Sequence, residues 1–458
     1  VFFGYSCTSG KGDGIRYIFF LIGDGMGNGQ VTGTQFYRAE LDGRIGLDSL
    51  SFTGFPVVNM MSTYSAFNAI TCSAAAGTAL ATGTRTSNVT IGKDAIHSKD
   101  VYSIAVKAKE KGLSVGITTS VSIDHATPAV FYAHQSSRSM YYEIAIDAVK
   151  AGFDLYAGSG FLQTRSMTDS TAPDVYRSFE DAGYTIARGY DDFNRKREKA
   201  TKMVFVQETG ASPFSLPYEI DRKPGDLSLE EITQGAIDFL SKDKKNGFFV
   251  MIECGLIDWA CHSNDAAAMF NEVIDFQKSI QKAIDFYKQH PDETLIVVTA
   301  DHETGNFALG TGKYELNLKA LQHQMVSKGQ LSKKISALRT THHYAVTWED
   351  VKKLLSDNLG LWTKEELKES YEKDLRHRYD KAFSNGEQEM VKSLYAEDEP
   401  LANTAVQILN RIARISWGSG GHSAGYVPLF VLGVGAENFN GKLDNTDIPR
   451  QIEALMKR

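Results

Sequence analysis

The feature that most constrains this chain is a repeated alternation between short apolar runs and longer runs with helical periodicity. The apolar runs RYIFFLIGDG, LSVGITTSV, NGFFVMIECG and TLIVVTADHE predict buried strands, and residues 266–290 between the last two predict a helix. This alternation predicts an α/β fold, a three-layer α/β/α sandwich whose central sheet is mostly parallel and covered by helices on both faces. In such sheets the chemistry collects at the carboxyl ends of the strands.

Size and charge limit the class of protein. The 458 residues suffice for one large α/β domain with insertions or for two or three ordinary domains. We predict a flexible lead-in over residues 1–14 and a single domain over residues 15–458. The net charge of -7 argues against a nucleic-acid partner. No apolar run approaches the roughly 20 residues that cross a bilayer, which argues against a transmembrane segment.

A charged segment at about residues 310–415 interrupts the strand pattern and predicts a helical insertion at the periphery of the sheet. Within it, TWEDVKKLL and TKEELKESYEKDLRHRY each begin with a threonine that precedes an acid by three residues. This pattern predicts that Thr347 and Thr363 cap helices. His342 and His343 also lie in this segment, but the sequence groups them with no other ligand.

The four cysteines do not form the framework of a disulfide-rich protein. Cys254 and Cys261 are close enough in sequence to pair, although two buried free thiols are the favoured interpretation. Cys7 follows a short apolar stretch and precedes a polar run, a pattern that resembles the end of a lipoprotein signal. In that interpretation Cys7 would carry a lipid anchor. A disordered lead-in explains the same residues equally well.

Acidic and histidine side chains follow several predicted strands or precede the last one. Because strand ends open onto one crevice, we expect these side chains to converge. Aspartate and histidine are good ligands for Zn²⁺, and carboxylate with hydroxyl oxygen suits Mg²⁺. Each residue alone is more often a turn or helix cap, but the set favours a metal site. The set comprises Asp24, Glu253, Asp258, His262, Asp301, His302 and His422.

The spacing of two pairs predicts their local structure. Asp258 and His262 are four residues apart, which places both on one face of a helical turn. Asp301 and His302 are adjacent, and adjacent residues in a strand point to opposite faces. The pair therefore reaches one metal only from a turn, which we place directly after the strand TLIVVTA.

The stretch ITCSAAAGTALATG contains one serine, Ser73, directly ahead of a run of small residues. We predict that Ser73 begins a helix whose first turn lies close to another group. The small side chains either leave space for a metal and a substrate or allow close packing against the sheet, and both explanations can hold together.

Taken in order, these motifs resemble the alkaline phosphatase family from Tyr17 to about Leu432. LIGDGMG is similar to the family's first metal-binding strand end, which implies that Asp24 bridges the second zinc and the magnesium. CSAAAGTA resembles the nucleophile segment and implies that Ser73 is the nucleophile. HATPAVFYAH with the following SR implies that Thr127 binds magnesium and that Arg138 binds phosphate.

The later motifs resemble the same family. ECGLIDWACH implies that Glu253 binds magnesium and that Asp258 and His262 bind the first zinc. TADHETG implies that Asp301 and His302 bind the second zinc, and GHSAG implies that His422 binds the first. The resemblance therefore implies a catalytic domain with two zinc ions and one magnesium ion.

The resemblance also implies an activity. It is the metal-dependent hydrolysis of phosphate monoesters to alcohol and inorganic phosphate, through a phosphoserine intermediate and with an alkaline pH optimum. We expect a periplasmic or secreted protein, either free or anchored as a lipoprotein, and a homodimer, since family members are often dimers. A phosphodiesterase or phosphate mutase on the same sheet is the nearest alternative, and a metal-binding protein without turnover is a more distant one.

Three residues depart from the family pattern. Cys72 stands where the family usually has an aspartate that orients the arginine, which implies that phosphate is held more loosely. His125 stands where some members have aspartate, so it either joins the metal shell or favours zinc over magnesium at the third site. Trp259 stands where some members have lysine near the phosphate.

Overall fold

The computed structural model of this protein describes residues 14–242, 246–312, 314–341, 345–384 and 390–456. Cys7, His342 and His343 lie outside the described residues, as does the predicted lead-in except Gly14.

The strands of the described residues are β1 (Tyr17–Gly23), β2 (Val57–Ser62), β3 (Ser114–Thr119), β4 (Leu155–Gly158), β5 (Thr185–Arg188), β6 (Met203–Val206), β7 (Phe248–Cys254), β8 (Thr294–Thr299), β9 (Glu303–Thr304), β10 (Phe307–Leu309), β11 (Val391–Lys392), β12 (Glu397–Asp398), β13 (Ile415–Trp417), β14 (His422–Ser423), β15 (Val427–Gly433) and β16 (Leu443–Asp444).

The α-helices are α1 (Asn28–Leu41), α2 (Ser73–Thr82), α3 (Ile104–Glu110), α4 (Ala126–Ala129), α5 (Tyr141–Ala151), α6 (Val175–Asp181), α7 (Tyr190–Lys196), α8 (Leu229–Leu240), α9 (Leu256–His262), α10 (Ala266–Gln289), α11 (Lys328–Thr341), α12 (Trp348–Leu359), α13 (Glu369–Ser384), α14 (Pro400–Ile412) and α15 (Asp447–Leu455). Short 3₁₀ turns occupy Glu219–Asp221, Leu318–His323 and Ala436–Phe439.

A ten-stranded sheet in the order β16-β2-β15-β8-β1-β7-β3-β4-β6-β5 forms the centre of the molecule. Every neighbouring pair is parallel except the two that involve β15, which runs antiparallel to both β8 and β2. Strands β1, β7 and β8 are buried along their whole length, as expected for parallel strands covered on both faces. The predicted mostly parallel sheet is confirmed.

Two groups of helices cover this sheet. Helices α8 and α10 pack on the central strands, and α1 and α9 pack on α10. Helix α3 also packs on the central strands but makes its helix contacts with α2 and α15 instead. The predicted three-layer sandwich with flanking helices is confirmed.

The register of the sheet aligns the ends of its central strands. Ile22 in β1 pairs with Glu253 in β7 and with Thr299 in β8. Because these strands are parallel, the residues that follow them emerge at one edge. Strand β15 is antiparallel, so its beginning lies at this same edge, and the chain just before it arrives there too.

The small residues of α2 pack closely against α4. Ala74, Ala75 and Ala76 are buried, and a β-carbon at Gly77 would lie only 3.0 Å from Val130 Cγ2. The helix begins at Ser73, as predicted. Close packing is therefore one reason for the run of small side chains.

One of the two predicted helix starts in the segment 310–415 is wrong. Thr347 caps α12 through a reciprocal pair of hydrogen bonds with Asp350, as predicted. Thr363 caps no helix, because the amides of Lys364 and Glu365 both donate to the Gly360 carbonyl and close a tight turn instead. Helix α13 begins six residues later, at Glu369.

Two further sequence expectations concern membranes and thiols. Among the described residues, no helix is both long enough and apolar enough to cross a bilayer. Cys254 and Cys261 are buried and are not joined in a disulfide, so the favoured interpretation of this pair as two thiols is confirmed and the disulfide alternative is wrong.

The contact between α2 and α4 yields a stability prediction. Replacing Gly77 with leucine would force the larger side chain against Val130, and overpacking of this kind costs about 1–3 kcal/mol of unfolding free energy. The control is Gly54→Leu, because a β-carbon at Gly54 meets nothing within 4 Å. Urea unfolding should show a loss for Gly77→Leu only, and equal stability of both variants would contradict close packing.

Candidate active site

Two imidazoles and a carboxylate meet beyond the ends of the central strands. His262 Nε2 lies 3.2 Å from Asp258 Oδ2 and 3.2 Å from His422 Nε2. His422 Nε2 lies 3.8 Å from Asp258 Oδ1. Helix α9 presents Asp258 and His262 on one face, as their spacing predicted, and His422 arrives on the segment before β15.

Hydrogen bonds fix which nitrogen of each ring carries the proton. His262 Nδ1 lies 2.7 Å from the Gly420 carbonyl, and His422 Nδ1 lies 2.8 Å from the Thr71 carbonyl. A carbonyl oxygen only accepts, so each Nδ1 carries a proton, and when the ring is neutral its Nε2 keeps a lone pair for a cation. Histidines that bind metals are held in this way.

Two lone pairs that face each other at 3.2 Å repel unless a cation lies between them. Ligands at about 2.0–2.1 Å from a tetrahedral zinc ion are separated by about 3.3 Å. The separations within this group are 3.2, 3.2 and 3.8 Å. Its dimensions and donor types therefore fit a zinc ion.

A second group lies beside the first. His302 Nε2 lies 3.4 Å from Asp24 Oδ1 and 3.3 Å from Asp301 Oδ2. Asp24 directly follows β1, and Asp301 and His302 occupy the turn after β8, where their adjacency placed them. Thr304 donates a hydrogen bond to Asp258 and so accepts one from His302 Nδ1, which again leaves Nε2 with its lone pair.

Ser73 is the hydroxyl next to this second group. Its Oγ lies 3.2 Å from His302 Nε2, and the residue is fully buried. As the first residue of α2 it stands at the positive end of the helix dipole, which favours an anion. The structure thus brings together the predicted nucleophile and the predicted ligands.

A third group shares Asp24 with the second. Thr127 on α4 donates to Asp24 Oδ2 at 3.4 Å. Glu253 at the end of β7 accepts a hydrogen bond from Thr119 and lies with Asp24 and His125 in a cluster of ligand atoms no more than 4.8 Å apart. Carboxylate and hydroxyl oxygens are the donors that Mg²⁺ prefers.

The four carboxylates share one pattern of hydrogen bonding. In each, one oxygen accepts a hydrogen bond, and the other is buried and accepts none from the described residues. A buried charge without a partner is costly, so oxygens of this kind fit a binding site for a cation. The unsatisfied oxygens are Asp24 Oδ1, Glu253 Oε1, Asp258 Oδ2 and Asp301 Oδ2.

The pKa values of three of these carboxylates, in the protein without metal, also indicate that a cation would stabilise them. Burial raises the pKa of Glu253 to about 8 and that of Asp301 to about 7. Burial and the repulsion of Asp301 hold the pKa of Asp24 well above its usual range. Divalent cations would reverse these shifts, because they stabilise the ionised carboxylates. The residues present therefore fit a metal centre.

Arg138 faces the same crevice and has partners that the sequence did not reveal. Its guanidinium donates to the Tyr395 hydroxyl at 3.0 Å and to His125 Nε2 at 3.1 Å. Cys72 instead accepts a hydrogen bond from the Val89 amide. The resemblance implied that Arg138 lacks an orienting partner, because Cys72 replaces the usual aspartate. Tyr395 contacts Arg138 and supplies such a partner.

His125 contacts Arg138 and also borders the third group of ligands, and a neutral ring has only one nitrogen with a lone pair to offer. While its Nε2 accepts from Arg138, its Nδ1 must carry the ring proton and is not a metal ligand. That Nδ1 is buried and has no hydrogen-bond partner among the described residues. Burial, and then the charge of Arg138, lower the pKa of His125 to about 3, so the ring is neutral.

Sequence reasoning missed Tyr395 and Thr304. Tyr395 lies between the short strands β11 and β12, in a charged stretch without a motif. Thr304 follows the predicted pair Asp301 and His302 by two residues, and its proximity was the one available signal. Trp259 was noted as a departure, but its stacking on Tyr395, with ring centroids 4.5 Å apart, was not predictable.

The fold and this site define an α/β metallohydrolase with a serine at its centre. Comparison with known families makes the class specific, since a model of the alkaline phosphatase family matches residues 15–158 and 195–458. The chain belongs to the alkaline phosphatase family and is a phosphatase.

Individual relatives support this assignment. Alkaline phosphatase 3 of Bacillus subtilis (strain 168) is 30% identical over 452 residues, which cover 97% of this chain and 89% of that protein. The crystal structure of a cold-active alkaline phosphatase from Shewanella sp. has a TM-score of 0.79 and 27% identity, and covers 96% and 100% of the two chains. A mutant TAB5 alkaline phosphatase with Mg bound in its M3 site has a TM-score of 0.67 and 25% identity, and covers 97% and 99%.

The unsatisfied carboxylates predict that metal stabilises the fold. A cation that binds only the folded state stabilises it by about 2.7 kcal/mol at a free concentration of 100 times its Kd. Chelator-treated protein should therefore melt at a lower temperature than protein refilled with Zn²⁺ and Mg²⁺. His262→Ala should reduce the response to Zn²⁺, whereas His323→Ala, outside the site, should keep it. Identical melting with and without metal would contradict the metal centre.

Proposed function

We propose that this protein hydrolyses phosphate monoesters through a phosphoserine intermediate on Ser73. The observation that carries the proposal is the position of Ser73 Oγ, buried at the start of α2 and 3.2 Å from a ring nitrogen of the ligand cluster. A protein that only binds metal needs no hydroxyl at this point.

The reaction has two displacements at phosphorus. In the first, Ser73 Oγ loses its proton and attacks the phosphorus, and the bond from phosphorus to the ester oxygen breaks and releases the alcohol. In the second, water attacks the phosphoserine, the bond to Oγ breaks, and inorganic phosphate leaves. A serine hydroxyl is a weak nucleophile at its ordinary pKa, so it must be activated.

We assign the metals by donor type. Asp258, His262 and His422 would hold the first zinc ion. Asp24, Asp301 and His302 would hold the second, and Asp24, Thr127 and Glu253 would hold magnesium. When bound, these ions supply the positive charge that stabilises the serine alkoxide and the departing oxygen. His125 borders the third site, and an imidazole ligand there would favour zinc over magnesium.

Arg138 would bind the phosphate. A guanidinium grips two oxygens of a phosphate with parallel hydrogen bonds, and its planar geometry suits this better than lysine. Tyr395 and His125 hold Arg138 at the crevice next to Cys72 and His422 before substrate arrives. The start of α2 adds backbone amides and the helix dipole on the same phosphate.

Further features of the proposal rest on the family. We propose an alkaline pH optimum, since both displacements need an oxygen nucleophile that has lost its proton. We also propose a location outside the cytoplasm, a homodimer, and a single catalytic domain from residue 15 onward in which residues 310–415 form an insertion.

The direct test is Ser73→Ala. Loss of a nucleophile costs about 10³-fold or more in kcat, so hydrolysis of 4-nitrophenyl phosphate should nearly cease. The zinc content of the variant, measured by mass spectrometry, should stay unchanged because the ligands remain. Ser279→Ala removes a buried hydroxyl from α10 and is the matched control. Full activity of Ser73→Ala would overturn the phosphoserine route, and an inactive wild-type protein with full metal content would favour a binding protein.

A further inference from the structure

We infer that this enzyme has a built subsite for the alcohol portion of its substrate, and that the subsite selects monoesters of uncharged apolar or aromatic alcohols. The inference rests on the proposed function and extends it, because it names the substrate class. One wall of this subsite is the hairpin formed by β11 and β12, which we call the Tyr395 hairpin (Val391–Asp398).

A cavity of about 940 Å³ opens beside the crevice of the phosphate site. The residues that line it include Arg138, Cys72 and His422, which stand next to the proposed phosphate position. The volume is at the upper end of the roughly 300–1,000 Å³ of small-molecule sites and exceeds what a phosphate alone needs. The remaining space therefore lies where the alcohol of a monoester would extend.

Apolar side chains from separate loops converge at the mouth of this cavity. Met167, Phe214 and Leu394 are 88%, 61% and 59% exposed, and all three line the cavity with partly buried Leu162. They come from segments far apart in sequence. Exposed apolar side chains scattered singly need no explanation, but several gathered around one cavity mark a binding surface.

An aromatic platform forms the deeper wall. The rings of Trp259 and Tyr395 stack with centroids 4.5 Å apart and planes within 17°. Because the Tyr395 hydroxyl contacts Arg138 at 3.0 Å, this platform begins directly beside the phosphate-binding group. Flat apolar groups pack favourably against such rings.

Buried ion pairs hold the base of the Tyr395 hairpin. Lys328 on α11 lies 3.1 Å from Asp398 and is itself almost fully buried. Arg339 on the same helix lies 2.7 Å from Glu399, which follows the hairpin. A pair buried in this way is costly to break, so the wall is a fixed part of the site.

The charges around the cavity favour an uncharged alcohol. Lys392 and Glu397, the charged residues on the two strands of the hairpin that line the cavity, lie 3.2 Å apart and neutralise each other. Arg138 is directed to the phosphate. A sugar or nucleotide would place part of its polar surface against Leu162, Phe214 and Leu394, which is unfavourable.

The test compares two primary alkyl monoesters whose leaving alcohols have similar acidity, 3-phenylpropyl phosphate and ethyl phosphate. Wild-type metal-loaded enzyme should prefer the phenylpropyl ester in kcat/KM by about tenfold or more, since apolar pockets discriminate on this scale. Calorimetric binding of the matching non-hydrolysable phosphonates gives a second readout that is independent of turnover.

Variants at the mouth test the surface itself. Phe214→Ser and Leu394→Ser should each lower the ratio of kcat/KM for the two esters by about fivefold to tenfold. Ile45→Ser, which removes a fully exposed apolar side chain elsewhere, should keep the wild-type ratio. Because both mouth residues are exposed, the variants should melt like the wild type.

The outcomes separate the two proposals. Hydrolysis of both esters at similar rates, with equal phosphonate affinities, would overturn the subsite and leave the proposed function intact. Absence of hydrolysis with a clear preference for the phenylpropyl phosphonate would overturn the proposed function and support the subsite. A preference that survives both Phe214→Ser and Leu394→Ser would show that the alcohol binds elsewhere.

Discussion

The structure depends on a concentration of negative charge buried at the centre of the sheet. Asp24, Glu253, Asp258 and Asp301 are fully inaccessible to solvent, and each has an oxygen without a hydrogen bond from the described residues. Ionised carboxylates are costly in such an arrangement, and bound cations would neutralise them. In the proposed mechanism the fold is coupled to metal binding, and the same cations would provide the electrostatic environment in which Ser73 acts as a nucleophile.

The topology explains how residues from both ends of the chain reach one place. Three neighbouring parallel strands deliver Asp24, Glu253 and Asp301 to the same edge of the sheet. The antiparallel strand β15 reverses the direction at that edge, so His422 arrives from the far end of the sequence. Helix α9, which follows β7, adds Asp258. A wholly parallel sheet would have needed a different route for the final histidine.

Much of the fold and of the candidate site was predictable, because both follow from strand ends, residue chemistry and family motifs. The sheet, the helix at Ser73, the helical face of Asp258 and the turn at His302 all follow from local pattern. Tyr395 was not predictable, since its contact with Arg138 depends on how a distant hairpin folds back over the site. Thr363 was misassigned because its local capping pattern competes with the turn around the Gly360 carbonyl, and the turn forms instead.

The central claim is that these strand ends surround metal ions beside one reactive hydroxyl. Anomalous X-ray diffraction at the zinc absorption edge, on crystals of the metal-loaded protein, tests it most directly. The account predicts one zinc peak bonded to the Nε2 atoms of His262 and His422, and a second bonded to His302 Nε2 next to Ser73 Oγ. Zinc peaks at other places, or a Ser73 side chain remote from every peak, would contradict it.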